Sequence, residues 1–311
     1  MMDNRLPAPG ALPSSGETFA AWVPNYATRF SNMDEWLGMV ERIVIQAAQA
    51  GAQLLLLPEY VSESWLGFCP PDRVKPITEI WQAEQAPAAL ERLQALAERH
   101  QMLIVAGTII LKDEQDNWRN RAMIFFPDGT SAHQDKLSMM PDERDMAGLE
   151  PAQQLRIFNW NGYRFAVIIC LDIQIPRLAA TLLAQGGVDF LLVPSMTTRR
   201  SGYNRVSSCA AARAVELHCP VLLTDGVGTV TARGEEELNT GGAGLFVPCE
   251  VKLGFDGRRD VIGPFETLDK AEGLLFVAKD VPVASCREDR RSGACEAWHP
   301  DNHARLPEVV G

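Results

Sequence analysis

Apolar residues come in short continuous runs separated by helical stripes. From position 33 the residues Trp36, Met39, Val40, Ile43, Val44 and Ala47 repeat at three- and four-residue spacing, one face of a helix. Ser31 is placed to cap that helix, with Asp34 three residues on, and Gly51 ends it. The wholly apolar run 54–57 follows and stops at Pro58. A run without alternation predicts a strand covered on both faces.

The same order recurs. Pro87 opens a predicted second helix carrying Leu90, Leu93 and Leu96, and 103–108 reads as a strand. A strand over 122–126 closes at the turn Asp128-Gly129. Strands are predicted over 165–169, 190–193 and 221–224, with helices near 176–185 and 204–218 between them. Residues 246–247 and 274–277 predict later strands. The expectation is one α/β domain over 19–280, with helices covering a mixed sheet or a pair of sheets. Residues 1–18 read as a loose leader and 281–311 as a tail of different composition.

Composition narrows the function classes. Of 311 residues 46% are hydrophobic and 22% charged, a globular balance. The 40 acidic against 29 basic side chains give a formal charge of -11, which argues against nucleic acid or an anionic membrane as partner. No apolar stretch approaches a membrane span, and the leader lacks the features of a secretion signal. The seven cysteines form no CxxC pair and no zinc-like cluster, which predicts reduced thiols in the cytoplasm. There is no GxGxxG and no GxxxxGK[ST], so nucleotide binding has no support.

Ligands in α/β folds gather at strand ends, so polar residues just beyond the apolar runs carry most weight. They are Glu59 in LLLLPEY, Lys136 and Glu143 in HQDKLSMMPDER, Cys170 in FAVIICLD and Ser195 in FLLVPSM. A thiol, an ammonium and two carboxylates suffice for acyl transfer through a thioester. Cys170 taken alone also fits a small buried hydrophobe, Lys136 a surface lysine, and Glu143 a partner for Arg144. A Cys–His arrangement would need one of His100, His133, His218, His299 or His303, none of which has a catalytic context.

The PE of LLLLPEY, the K…P.ER of DKLSMMPDER, the C.D…P of CLDIQIP and the helix segment ARAVEL, in this order, resemble the nitrilase superfamily of carbon–nitrogen hydrolases. The likeness runs from about Phe19 to Val277 and looks closest to the branch often fused to an acetyltransferase-like domain, for which the 18 leading residues leave no room. It implies an α-β-β-α sandwich, usually a homodimer, whose tail reaches across the partner. It implies Glu59 as general base, Lys136 as the triad lysine, Cys170 as nucleophile and Glu143 as supporting glutamate. No cofactor or metal is implied. Tyr60, Met140, Leu171, Ser195, Met196, Arg199 and Arg200 are the expected substrate contacts, the arginines suited to a carboxylate. The expected substrate is a small or medium linear amide. CLD in place of the nitrilases' CWE favours amide over nitrile; nitrile hydrolysis, acyl transfer to an amine, and a silent binding member stand as alternatives.

Overall fold

The computed structural model describes residues 16–73, 78–145, 148–230, 237–253, 256–295 and 298. The strands are β1 (Glu17–Val23), β2 (Leu54–Leu56), β3 (Leu103–Lys112), β4 (Trp118–Phe125), β5 (Ser131–Asp135), β6 (Phe158–Trp160), β7 (Tyr163–Val167), β8 (Phe190–Ser195), β9 (Val221–Asp225), β10 (Gly228–Val230), β11 (Glu237–Asn239), β12 (Gly241–Phe246), β13 (Arg258–Phe265) and β14 (Leu274–Val281). The helices are α1 (Met33–Gln49), α2 (Thr78–His100), α3 (Pro141–Asp145), α4 (Pro176–Ala184), α5 (Arg200–Leu217) and α6 (Val283–Ser292).

Two mixed six-stranded sheets result, in the orders β14-β1-β2-β3-β4-β5 and β13-β12-β9-β8-β7-β6. Their centres pack face to face through β1, β9 and β12, with α1 and α2 outside the first sheet and α5 outside the second. This is the expected α-β-β-α sandwich. The apolar runs predicted it because both faces of the central strands are covered: β2, β8 and β9 are buried at every position. Hydrophobic burial at about 25 cal/mol per Å² is the main force holding such layers together. Phe19, Phe165 and Phe190 meet between the sheets, with ring centroids 5.1 Å apart in two of the pairs.

Several boundaries differ from expectation. Asn32, not Ser31, caps α1: its Oδ1 accepts from the Glu35 N–H at 2.9 Å, while Glu35 Oε2 accepts from the Ser31 N–H at 2.7 Å. The box is shifted by one residue. Pro87 lies inside α2, on its exposed side, rather than opening it. Apolar packing of Ala86, Ala89, Leu93 and Leu96 holds the helix across the missing donor. The first strand begins at Glu17, within the expected leader, because that carboxylate is buried beside Tyr163 and breaks the apolar pattern; residues 1–15 lie outside the described residues. β13 went unpredicted because it is a polar, largely exposed edge strand.

Within the expected tail, α6 sits on this chain's own core. Its buried face is charged: Arg290 donates to Asp189 at 2.6 Å and to the His218 carbonyl at 2.7 Å, and Arg287 donates to the Gly162 carbonyl at 2.7 Å. Paired charges, unlike apolar residues, leave no helical stripe in the sequence.

One detail of β3 positions the chemistry. Its register with β4 shifts between Val105 and Thr108, and Gly107 there has φ +64. A Cβ on Gly107 would stand 2.0 Å from the Pro58 carbonyl oxygen. Only glycine lets the two backbones meet so closely. Thr108 then donates its N–H to the Pro58 carbonyl at 3.2 Å and accepts the Tyr60 N–H on Oγ1 at 2.8 Å. The chain leaving β2 is thereby clamped on both sides of Glu59.

Candidate active site

The parallel strands of each sheet end on the same side, and the residues beyond them meet across the sandwich. Glu59 follows β2, and Lys136 follows β5. Cys170 opens a single turn of 3-10 helix after β7, Met196 follows β8, and Asp225 ends β9.

The Lys136 ammonium is 1% exposed and bonded on two sides. Its Nζ donates to Glu59 Oε1 at 2.8 Å and to Glu143 Oε1 and Oε2 at 2.7 and 2.8 Å. Burial works against this charge, but Glu59, Cys170 and Glu143 outweigh it and push the lysine well above its ordinary range. Glu143 is also held by the Tyr60 hydroxyl and by the Met140 N–H at 2.7 Å. Burial raises its pKa, but Lys136 and these donors more than reverse the effect, so Glu143 is the settled counter-ion. Glu59 differs. Burial lifts it above the ordinary carboxylate range, Lys136 opposes, and neighbouring Glu143 lifts it further. Two carboxyls on one lysine are thus driven apart, the condition under which one can trade a proton while the other stays ionised.

Glu59 Oε2 accepts the Met196 N–H at 3.0 Å, and the Met196 carbonyl lies 3.7 Å from the Cys170 sulfur. The thiol lies near Glu59 and favours its ionised form. Cys170 is 7% exposed. Burial first, then the charge of Glu59, raises its pKa well above the ordinary thiol value, with Lys136 pulling the other way. The resting group is therefore the thiol, which needs a base at the moment of attack. Its backbone has φ +45, a left-handed conformation costing a non-glycine residue roughly 1–2 kcal/mol.

Residues expected from sequence fall into two groups. Glu59, Lys136, Glu143 and Cys170 come together, with Leu171 next in the chain after Cys170. Tyr60 and Met140 touch Glu143 through a hydroxyl and a backbone N–H, and Met196 joins Glu59 to Cys170. Ser195 is wholly buried, close to both Cys170 and Asp225. Arg199 and Arg200 are exposed at the start of α5, Arg200 lying 3.8 Å from Glu266. Arg144 pairs with Asp145 rather than Glu143. His218 sits against Asp289 and Cys295, and His133 beside Asp135; His299 and His303 lie outside the described residues. Among the described residues no cluster of His, Cys, Asp or Glu could hold a metal ion.

Sequence reasoning missed Asn120 on β4. Its Nδ2 donates to Glu59 Oε1 at 2.9 Å and to Glu143 Oε1 at 3.0 Å, tying the carboxyls together. Buried among arginines in WRNRAMIF, it lies in the middle of a strand, where the strand-end rule does not look.

A profile of the carbon-nitrogen hydrolase family matches residues 21–246, from β1 through β12. The chain belongs to the carbon-nitrogen hydrolase family. It is 28% identical over 266 residues to a probable hydrolase, YhcX, of Bacillus subtilis, covering 84% of this chain and 49% of that one, so it spans about half that relative's length. An (R)-stereoselective amidase of a Pseudomonas species is 25% identical over 215 residues, 69% of this chain and 73% of that one. Among solved structures, the CN-hydrolase superfamily protein XC1258 from Xanthomonas campestris superposes with a TM-score of 0.68 at 16% identity, covering 95% of this chain and 99% of that one. A mutant amidase from Nesterenkonia sp. AN1, bearing the acetamide moiety of fluoroacetamide on its active-site cysteine, gives 0.64 at 22%, with 92% and 98% covered. At these identities the structures establish the shared fold.

Asp172, in the turn that opens at Cys170, gives a pH-dependent prediction. Its Oδ2 accepts the Leu137 N–H at 2.9 Å, tying that turn to the residue after Lys136. Burial pushes its carboxyl up to about 7 from 3.8. Between those values the folded chain keeps a proton that the unfolded chain has released. This group's contribution is fully present below 3.8, declines as pH rises towards about 7, and changes no further above. Asp172→Asn keeps the acceptor and removes the titration, so the parent's urea midpoint should fall relative to the variant's as pH rises through that window. Parallel curves for the two proteins would contradict the assignment.

Proposed function

We propose that this chain hydrolyses the carbon–nitrogen bond of a small or medium linear amide through a thioester on Cys170. The observation that carries the reading is the Glu59 carboxyl, lifted by burial and held between the Lys136 ammonium and the Met196 N–H, whose own carbonyl faces the Cys170 sulfur. In this reading Glu59 takes the thiol proton as sulfur bonds to the amide carbon. Charge builds on the former carbonyl oxygen and is met by Lys136 and the Leu171 N–H. Collapse breaks the C–N bond, and the amine leaves with the proton held by Glu59. Water then gives a proton to Glu59 and attacks the thioester. The C–S bond breaks, the acid departs, and the sulfur recovers its proton. Glu143 keeps Lys136 charged and oriented throughout. Leu171 after Cys170, in place of the tryptophan of the nitrilases' CWE, supports an amide over a nitrile.

The test is intact-mass analysis after mixing the protein with a panel of linear amides and matching nitriles, with ammonia release assayed in parallel. The expected result is an acyl mass on the Cys170 peptide with amides, and stoichiometric acid and amine as products. Turnover confined to nitriles, or no adduct and no product with any amide, would refute the proposal.

A further inference from the structure

β8 and β9 run parallel and in register, so Ser195 and Asp225 stand side by side at their ends. Asp225 is wholly buried, and neither carboxyl oxygen makes a hydrogen bond of ordinary geometry. A buried polar group without full partners costs roughly 1–3 kcal/mol, so stability alone does not account for a carboxyl at this position.

Its surroundings do. Ser195 and Thr197 lie near enough to favour its ionised form, and Ser195 is also close to Cys170. Between them sits Met196, whose N–H holds Glu59 and whose carbonyl faces the Cys170 sulfur. The far side of this segment is fixed to β12's entry, with Thr240 N–H on the Thr197 carbonyl at 2.8 Å and Thr197 Oγ1 on the Thr240 carbonyl at 2.7 Å. The turn after Asp225 is closed too. A Cβ on Gly226 would stand 1.9 Å from the Tyr26 ring, and the Tyr26 hydroxyl donates to the Glu59 carbonyl at 3.1 Å.

We propose that Asp225 is a positioning residue: its carboxyl sets the segment 195–197 and, through the backbone of Met196, fixes the Glu59 carboxyl against the Cys170 sulfur. The inference rests on the hydrolase reading above and deepens it. Burial holds the Asp225 carboxyl well above the ordinary range, Ser195 opposes, and the charge of Glu59 adds to the rise. Tyr26, Tyr203 and Cys170 are the other titratable groups that face it. Burial favours the neutral acid, one donor and one acceptor. An asparagine amide offers the same pair.

Two variants separate positioning from mere structure. Asp225→Leu removes the polar atoms at similar volume, and Asp225→Asn keeps a neutral donor and acceptor. Melting temperature, kcat and KM on an amide that the parent turns over, and the pH profile of Cys170 labelling by iodoacetamide would be measured for each. For D225L we expect an unchanged or higher melting temperature, kcat lowered by ~10²-fold from a displaced base, little change in KM and a shifted labelling profile. D225N should recover most of the loss. Should D225L not fold, D225A takes its place with the same expectation. Parental kcat and labelling in the Leu or Ala variant would overturn the proposal, as would D225N as impaired as either. Labelling needs no amide substrate. If the parent turns over no amide, the hydrolase reading fails, while the labelling profiles still decide the role of Asp225.

Discussion

Cys170→Ala is expected to lower amide turnover by on the order of 10⁵-fold or more and to abolish the acyl adduct, because in the proposed mechanism its sulfur forms the covalent bond. Its effect on folding should be small. The side chain loses one sulfur atom, a change worth about 1 kcal/mol at a buried position, and alanine tolerates φ +45 no better and no worse than cysteine. Circular dichroism should match the parent, with the melting temperature within a few degrees. Residual hydrolysis near the parental rate would remove Cys170 from the mechanism.

Lys136→Met should damage both activity and stability. The ammonium is the only cation bonded to two buried carboxyls among the described residues, and removing one member of such a set costs about 3–5 kcal/mol. Glu59 and Glu143 would then face each other across Asn120 with no positive charge between them, so one must take up a proton. The native state of the variant gains protons that its unfolded state has released. Its deficit against the parent should therefore be largest at alkaline pH and shrink as pH falls towards the ordinary carboxylate range. Turnover should fall by about 10³-fold through loss of oxyanion stabilisation. Urea midpoints across pH check the first statement and steady-state rates the second. A variant as stable as the parent at alkaline pH would show that the lysine is not holding the cluster.

How far the sequence disclosed this arrangement depends on which atoms do the positioning. Glu59 and Cys170 each follow a short apolar run, and a functional residue emerging from a buried strand is visible in one dimension; Lys136 follows the polar strand β5 and shows only through the motif it shares with the family. Asp225 obeys the same rule after VLLT and could have been found by it. Asn120 could not, because it is polar among polar neighbours and only the pleat of β4 turns it inward. Met196 contributes backbone atoms, which leave no trace in residue identity. The sandwich was legible because its central strands are apolar at every position. The edges were not: β13 is polar, and α6 buries arginines on aspartates, so burial and hydrophobicity part company there.

The groups of the candidate site are divided between the two halves of the sandwich. Glu59 and Lys136 hang from the strand ends of one sheet, the Cys170 sulfur and Met196 from those of the other, joined by Met196 N–H to Glu59 and Leu137 N–H to Asp172. A slight widening of the seam would part the sulfur from its base while each layer still kept its own backbone ladder. Heating or mild denaturant should thus silence the proposed hydrolysis ahead of any change in far-ultraviolet dichroism, making lost turnover an early gauge of slippage between the layers.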